Sequence, residues 1–179
     1  MNLDQLGHET YEYGTQIYNA LVKKYGTQIL DPYDKIDRNS LGNIVFSDQK
    51  HLVELEELVL PAIKVLLDNR INDAFISDPS LRLIVVEGAT IVKSREFFDE
   101  FDEIWSCLVE VGTAYDRLIN LRTVDPEKAS RMLSRNCSNK EFFLKSHVIF
   151  SSDFSEPEMM LQVDRAMNRL IDEDFYTNL

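Results

Sequence analysis

Apolar residues recur at helical spacing through the first third of the chain and gather into short, dense runs further on. Thr15–Tyr25 sets Ile17, Leu21 and Val22 on one side and stops at Gly26, which predicts a helix. Ser40–Phe46 predicts a short helix, and Asp48 caps the next one, whose apolar positions are Leu52, Leu55, Leu58 and Val59. Pro61 suits the first turn of a further helix carrying Ile63, Leu66, Leu67, Ile71 and Phe75. Residues 34–75 therefore read as an all-helical block. Leu81–Val86 (L-R-L-I-V-V) is apolar, branched and too short for a helix, so it predicts a buried strand. Ile104–Val111 predicts a second strand and His147–Phe150 a third. Asp125-Pro126-Glu127 starts a helix. Ser138 with Glu141, and Ser155 with Glu158, have capping-box spacing, the second opening a helix with Met159, Val163, Met167 and Leu170 inside. Strands alternating with helices indicate a parallel α/β sheet interrupted by the helical block.

At 179 residues the chain is read as one domain, 1–179, with a real core. Its net charge of −12 argues against a nucleic-acid binder but does not exclude a nucleotide, which needs only a few converging cations. No run approaches the ~20 apolar residues of a membrane span. The start, M-N-L-D-Q-L-G-H-E, lacks the features of a secretory signal or presequence. Cys107 and Cys137 give neither a disulfide framework nor metal-ligand spacing, so a reducing, cytoplasmic setting is the expectation.

Four motifs carry more specific information. They are Asp4 with His8 in L-D-Q-L-G-H, Tyr25–Leu30 (Y-G-T-Q-I-L), Asp37–Phe46 (D-R-N-S-L-G-N-I-V-F) and Leu55–Ile63 (L-E-E-L-V-L-P-A-I). In this order and spacing they resemble the substrate half of the dephospho-CoA kinases, and the Leu-Gly-His variant is most similar to the kinase domain of animal bifunctional coenzyme A synthases. The resemblance implies a P-loop nucleoside-kinase-like parallel sheet flanked by helices. A helical CoA-binding insertion would occupy 34–75 and lid-like helices 113–137. It implies ATP and Mg²⁺ as cofactors and transfer of the γ-phosphate to the ribose 3′-hydroxyl of dephospho-CoA.

That chemistry requires a G-x-x-x-x-G-K-[ST] loop, whose backbone N–H groups cradle the phosphates. The six glycines, at 7, 14, 26, 42, 88 and 112, are never followed by Lys-Ser/Thr, so the loop and the strand before it are expected to be missing. The family's candidate base, the first Asp of an Asp-x-Asp pattern, matches Asn2, and an amide takes no proton near neutral pH. No catalytic residue and no metal ligand is assigned. Asp4, His8 and Arg38 are the substrate-binding candidates by resemblance, against a strand-end turn, a structural histidine and a salt bridge to Asp34 or Asp37. Arg117 and Arg131 match lid arginines, whose role is neutralising phosphoryl charge. Arg122 and Arg135 stand where the lid is rewritten, and a solvated helix face is the plain alternative for Arg131 and Arg135. His51 and His147 read as surface or strand-edge residues, the acids of 97–103 as solvated, and Cys107 as an inert buried thiol.

The resemblance also implies that Leu81–Val86 and Ile104–Val111 flank the missing strand. Unpaired buried peptide groups cost about 1–3 kcal/mol each. Marginal stability, self-association or a protein partner completing the sheet is therefore expected. Three functions remain open: a kinase homologue inactive alone, a CoA-binding or regulatory pseudo-enzyme, and a truncated product of a longer kinase.

Overall fold

A computed structural model of the chain describes residues 1–45, 47–92, 94, 97, 99–135 and 138–172. The chain divides into two compact units, Met1–Ile91 and Val92–Leu179.

The first unit is almost wholly helical. Helix α1 (Leu3–Thr10) starts on Asn2, whose side-chain oxygen accepts from the Gln5 N–H. Helix α2 (Gln16–Tyr25) is capped by Thr15 and ends at Gly26, whose φ of 77° lies in the left-handed region that glycine reaches without strain. A 3₁₀ turn at Thr27–Ile29 and an antiparallel bridge between Leu30 and Ile36 lead into α3 (Arg38–Val45). Leu21, Tyr25, Ile29, Leu41 and Val45 form the core of this helical block.

The two helices expected on either side of Pro61 are one, α4 (Gln49–Ser77), capped by Asp48. Proline within a helix removes one backbone hydrogen bond and crowds the preceding turn. The helix persists because its buried side chains Val59, Ile63 and Leu67 straddle Pro61 while α4 packs against both α1 and α3. Gly7 makes one of these contacts close: a Cβ there would come within 3.2 Å of Ile63 Cδ1. Phe75, expected inside, is 47% exposed.

The strand expected at Leu81–Val86 does not form. The segment forms no ladder, and Leu83 and Val85 are 42% and 66% exposed. Its pairing is limited to the residues beside Met1–Leu3, through a parallel bridge between Asn2 and Glu87. An apolar run specifies a buried strand only when a neighbour covers its edge and face.

The second unit holds a two-stranded parallel sheet, β1 (Trp105–Leu108) beside β2 (Val148–Ser151), in register from Trp105↔Val148 to Leu108↔Ser151. Between them lie α5 (Val111–Asn120), α6 (Pro126–Arg135) and α7 (Asn139–Lys145), and α8 (Glu156–Asp172) follows. Parallel strands require such a crossover. Helix α7 carries the full Ser138–Glu141 capping box, and the Asp125 carboxylate accepts from the Glu127 and Lys128 N–H groups. Helix α8 buries Ala166 and Leu170 most deeply. Strand β1 is shorter than expected, because Val111 already belongs to α5.

Candidate ligand site

Asp4 and His8 stand four residues apart on α1, one turn above the other. The expected strand-end turn at Asp4 is instead the first turn of this helix, where a carboxylate faces the positive end of the dipole. Arg38 opens α3, and its charge reaches both His8 and Tyr11. Arg38 and Asp4 are thus both near enough for their charges to act on His8.

Local structure explains why Arg38 is available there. The Asp37 carboxylate accepts from the Asn39 N–H at 3.0 Å and from the Ser40 hydroxyl at 2.5 Å, capping α3. Those bonds, Ser40 first, lower its pKa below the ordinary aspartate value. Asp34 is held in a left-handed turn, φ 59°, with its carbonyl accepting from the Tyr18 hydroxyl at 2.6 Å. Among the described residues Arg38 makes no ion pair, so the salt-bridge alternative does not form. Glu9 on α1 binds Arg70 of α4 at 2.7 Å, which fixes the helix that presents His8.

His8 is half-buried, and its Nδ1 is hydrogen-bonded to the Tyr11 hydroxyl. Burial lowers the imidazole pKa and Arg38 lowers it further, while Asp4 pulls it back up. The ring is therefore held toward the neutral form. Tyr11 was not among the expected site residues. Its position three residues after His8, at the end of α1, is the signal that could have found it.

Asn2, at the position matched to a base, has both ends of its amide engaged. Its oxygen caps α1 and its Nδ2 donates to the Glu87 carboxylate. An aspartate would cap as well, but would set two carboxylates against each other. We expect Asn2→Asp to lose about 1 kcal/mol at pH 7 through the missing bond and like-charge repulsion, net of a smaller gain from the helix dipole. Repulsion raises the folded-state pKa of the pair above its unfolded value, so the deficit shrinks as pH falls below about 5. Urea midpoints at pH 7 and 4.5 measure this; an equal deficit at both would refute it.

In the second unit, Arg117 donates to the Ser152 hydroxyl at 3.1 Å and to the Ser152 carbonyl, tying α5 to the end of β2. Arg131 lies 3.5 Å from Glu127, four residues back on α6, with both side chains largely exposed. The plain reading, a solvated helix face, fits Arg131. The Arg135 side chain and Cys137 lie outside the described residues. Open grooves of about 500 and 460 Å³ run between α5 and α6, one beside Gly112, Tyr115, Asp116 and Ser130, the other beside Arg117 and Arg122.

Other expectations change. Cys107 is exposed rather than buried, because its side chain leaves the face of β1 that buries Ser106. His147 is exposed at the edge of β2, as expected, and its Nδ1 accepts from the Ile104 N–H at 2.9 Å. His51 packs edge-on against Tyr25. Glu103, expected to be a solvated acid, is largely buried; burial alone would raise its pKa, but Arg169 at 2.6 Å and the Trp105 N–H at 2.5 Å bring it below the ordinary value. Among the described residues no group of three or more His, Cys, Asp or Glu is arranged to hold a metal ion, and no helix is long and apolar enough to cross a membrane.

Residues 1–158 match the family model described as Dephospho-CoA kinase. A dephospho-CoA kinase of Geobacter sulfurreducens is 25% identical over 164 residues, 92% of this chain and 82% of that protein. One from Leifsonia xyli is 26% identical over the same shares. Among solved structures, a Thermus thermophilus protein superposes with a TM-score of 0.73 at 17% identity, over 97% of this chain and 83% of that one. A dephospho-CoA kinase from Campylobacter jejuni gives 0.65 at 16%, over 97% and 85%.

Proposed function

We propose, for a chain that belongs to the dephospho-CoA kinase family of coenzyme A biosynthesis, that its first unit binds dephospho-CoA or CoA and that these residues alone do not carry out phosphoryl transfer. What supports the binding half is that the charges of Arg38 and Asp4 both act on His8, with Arg38 left without an ion pair among the described residues. A guanidinium free of carboxylate partners can take a phosphate oxygen, and a neutral imidazole can donate to an uncharged or anionic oxygen.

Two observations support the other half. None of the six glycines precedes a Lys-Ser/Thr pair, so no segment presents the backbone N–H cradle with its lysine and hydroxyl. The lid cations are also otherwise engaged, Arg117 with Ser152 and Arg131 with Glu127. These donors do not fit the triphosphate of MgATP, and no step through ATP is derived. With an amide at position 2, the ~10²–10⁴-fold contribution of a general base is lost as well. A longer product carrying the loop is the second reading, favoured by the 82% of the Geobacter relative that is matched. Transcript sequence upstream of Met1 encoding an apolar strand and a Gly-rich Lys-Ser/Thr loop would decide for it.

Calorimetric titration tests the binding half. Dephospho-CoA is expected to bind without ATP, and Arg38→Ala to weaken it by about tenfold, a charge-assisted bond contributing about 1.5–3 kcal/mol when buried and less at an exposed side chain. No heat at millimolar ligand would reject it. A coupled assay at high enzyme concentration with ATP tests the other half: steady turnover would overturn it. We propose too that Leu81–Val86, apolar and outside any ladder, with the Met1 amino group on the Val85 carbonyl, takes a strand from another chain; a monomer with high, cooperative thermal stability would exclude this.

A further inference from the structure

Tyr11 follows the last turn of α1, and its ring leans on the cluster of Leu21, Tyr25, Ile29, Leu41 and Val45. The hydroxyl is therefore carried on a post fixed by packing in the helical block. His8 meets it edge-on, with ring centroids 5.7 Å apart and planes at 72°. Burial raises the tyrosine pKa, with Arg38 opposing, so the O–H keeps its proton and is able to donate.

A neutral imidazole carries one N–H and one lone pair. If the Tyr11 O–H donates to Nδ1, the lone pair is there and the proton is on Nε2. Among the described residues Nε2 has no hydrogen-bond partner. The Arg38 guanidinium supplies the positive potential that draws an anion to the same place, and Asp4 on the next turn is the counter-charge.

We infer that Tyr11 is a positioning residue of the ligand site: its hydroxyl locks His8 as the Nε2–H tautomer and so supplies, next to Arg38, a second donor for a phosphate oxygen of a nucleotide ligand. The ligand half of this rests on the function proposed above; the tautomer half does not.

Nitrogen-15 multiple-bond NMR on imidazole-labelled full-length chain reads the tautomer directly. The chain has three histidines, and the spectrum of His8→Gln identifies the signal of interest. Near pH 7.5 the wild type is expected to show the Nε2–H pattern. Tyr11→Phe keeps the ring and its packing but removes the donor, so His8 is expected to become a tautomer mixture with a higher pKa. The same substitution is expected to weaken dephospho-CoA binding by about threefold to tenfold, the scale of one hydrogen bond. An Nδ1–H pattern in the wild type overturns the assignment, whatever the variant does. An unchanged His8 signal in a folded Tyr11→Phe overturns the role of Tyr11. An Nε2–H pattern without dephospho-CoA binding overturns the functional reading while leaving the tautomer lock standing.

Discussion

Leu21→Ala is expected to lower the stability of the first unit by about 3 kcal/mol, within the 2–5 kcal/mol range of leucine-to-alanine changes at well-packed sites. Leu21 is fully buried, and its neighbours in the cluster are tied into α2, the 3₁₀ turn and α3. Three separately anchored elements cannot close together over the lost volume, so a cavity remains. For a domain whose whole stability is about 5–15 kcal/mol this is a large fraction. Urea unfolding followed by tyrosine fluorescence should show the midpoint fall, while Val22→Ala, one residue on and only half-buried, should cost about 1 kcal/mol or less. Because Tyr11 leans on the same cluster, the Leu21 variant should also bind dephospho-CoA more weakly while still folded. Equal midpoints for the two variants would show that the cluster is not the unit's core.

Gly88→Ala is expected to cost about 1–3 kcal/mol, the scale of forcing a methyl group into filled space. A Cβ at Gly88 would lie 2.8 Å from Leu3 Cβ and 2.9 Å from its Cδ1. Leu3 is 1% exposed at the first position of α1, and its Cβ cannot swing aside as a flexible chain end could. Relief requires α1 to move, which strains the Leu3 N–H to Glu87 carbonyl bond and the Glu87 N–H to Met1 carbonyl bond, both 2.9 Å. Amide exchange at Leu3 and Glu87 should accelerate together. Gly14→Ala is the control: open space surrounds it, and its φ of 87° gives a backbone penalty alone, about 1–2 kcal/mol. Unchanged exchange at Leu3 in Gly88→Ala would mean that the neighbouring backbone yields without disturbing α1.

What the sequence discloses here follows the range of the interactions involved. Gly26 and the caps Asp48, Asp125 and Ser138 act within one turn, and the helix boundaries they predict hold. That Arg38 on α3 acts on His8 of α1 follows from no local rule, and the two were paired only through resemblance. Tyr11 escaped notice because its ring reads as one more apolar position, and its hydroxyl matters only once α1 has formed. Pro61 and Leu81–Val86 misled for a shared reason. Proline breaks a helix, and a branched apolar run makes a strand, only when tertiary contacts agree. At Pro61, α1 and α3 hold the helix together; at Leu81–Val86 no ladder forms. Cys107 shows the same dependence on a face, since alternate residues of a strand are buried only if both sides are covered.

If the proposed strand addition occurs, concentration becomes a variable of the structure through Leu81–Val86. A branched apolar segment outside any ladder, with Leu83 and Val85 facing water, is the pattern from which strand-to-strand aggregation begins. On the proposal that this edge takes a strand from another chain, its share of time uncovered would be a property of the solution: dilute samples would report on the helical block, and crowded ones on whatever lies beside it.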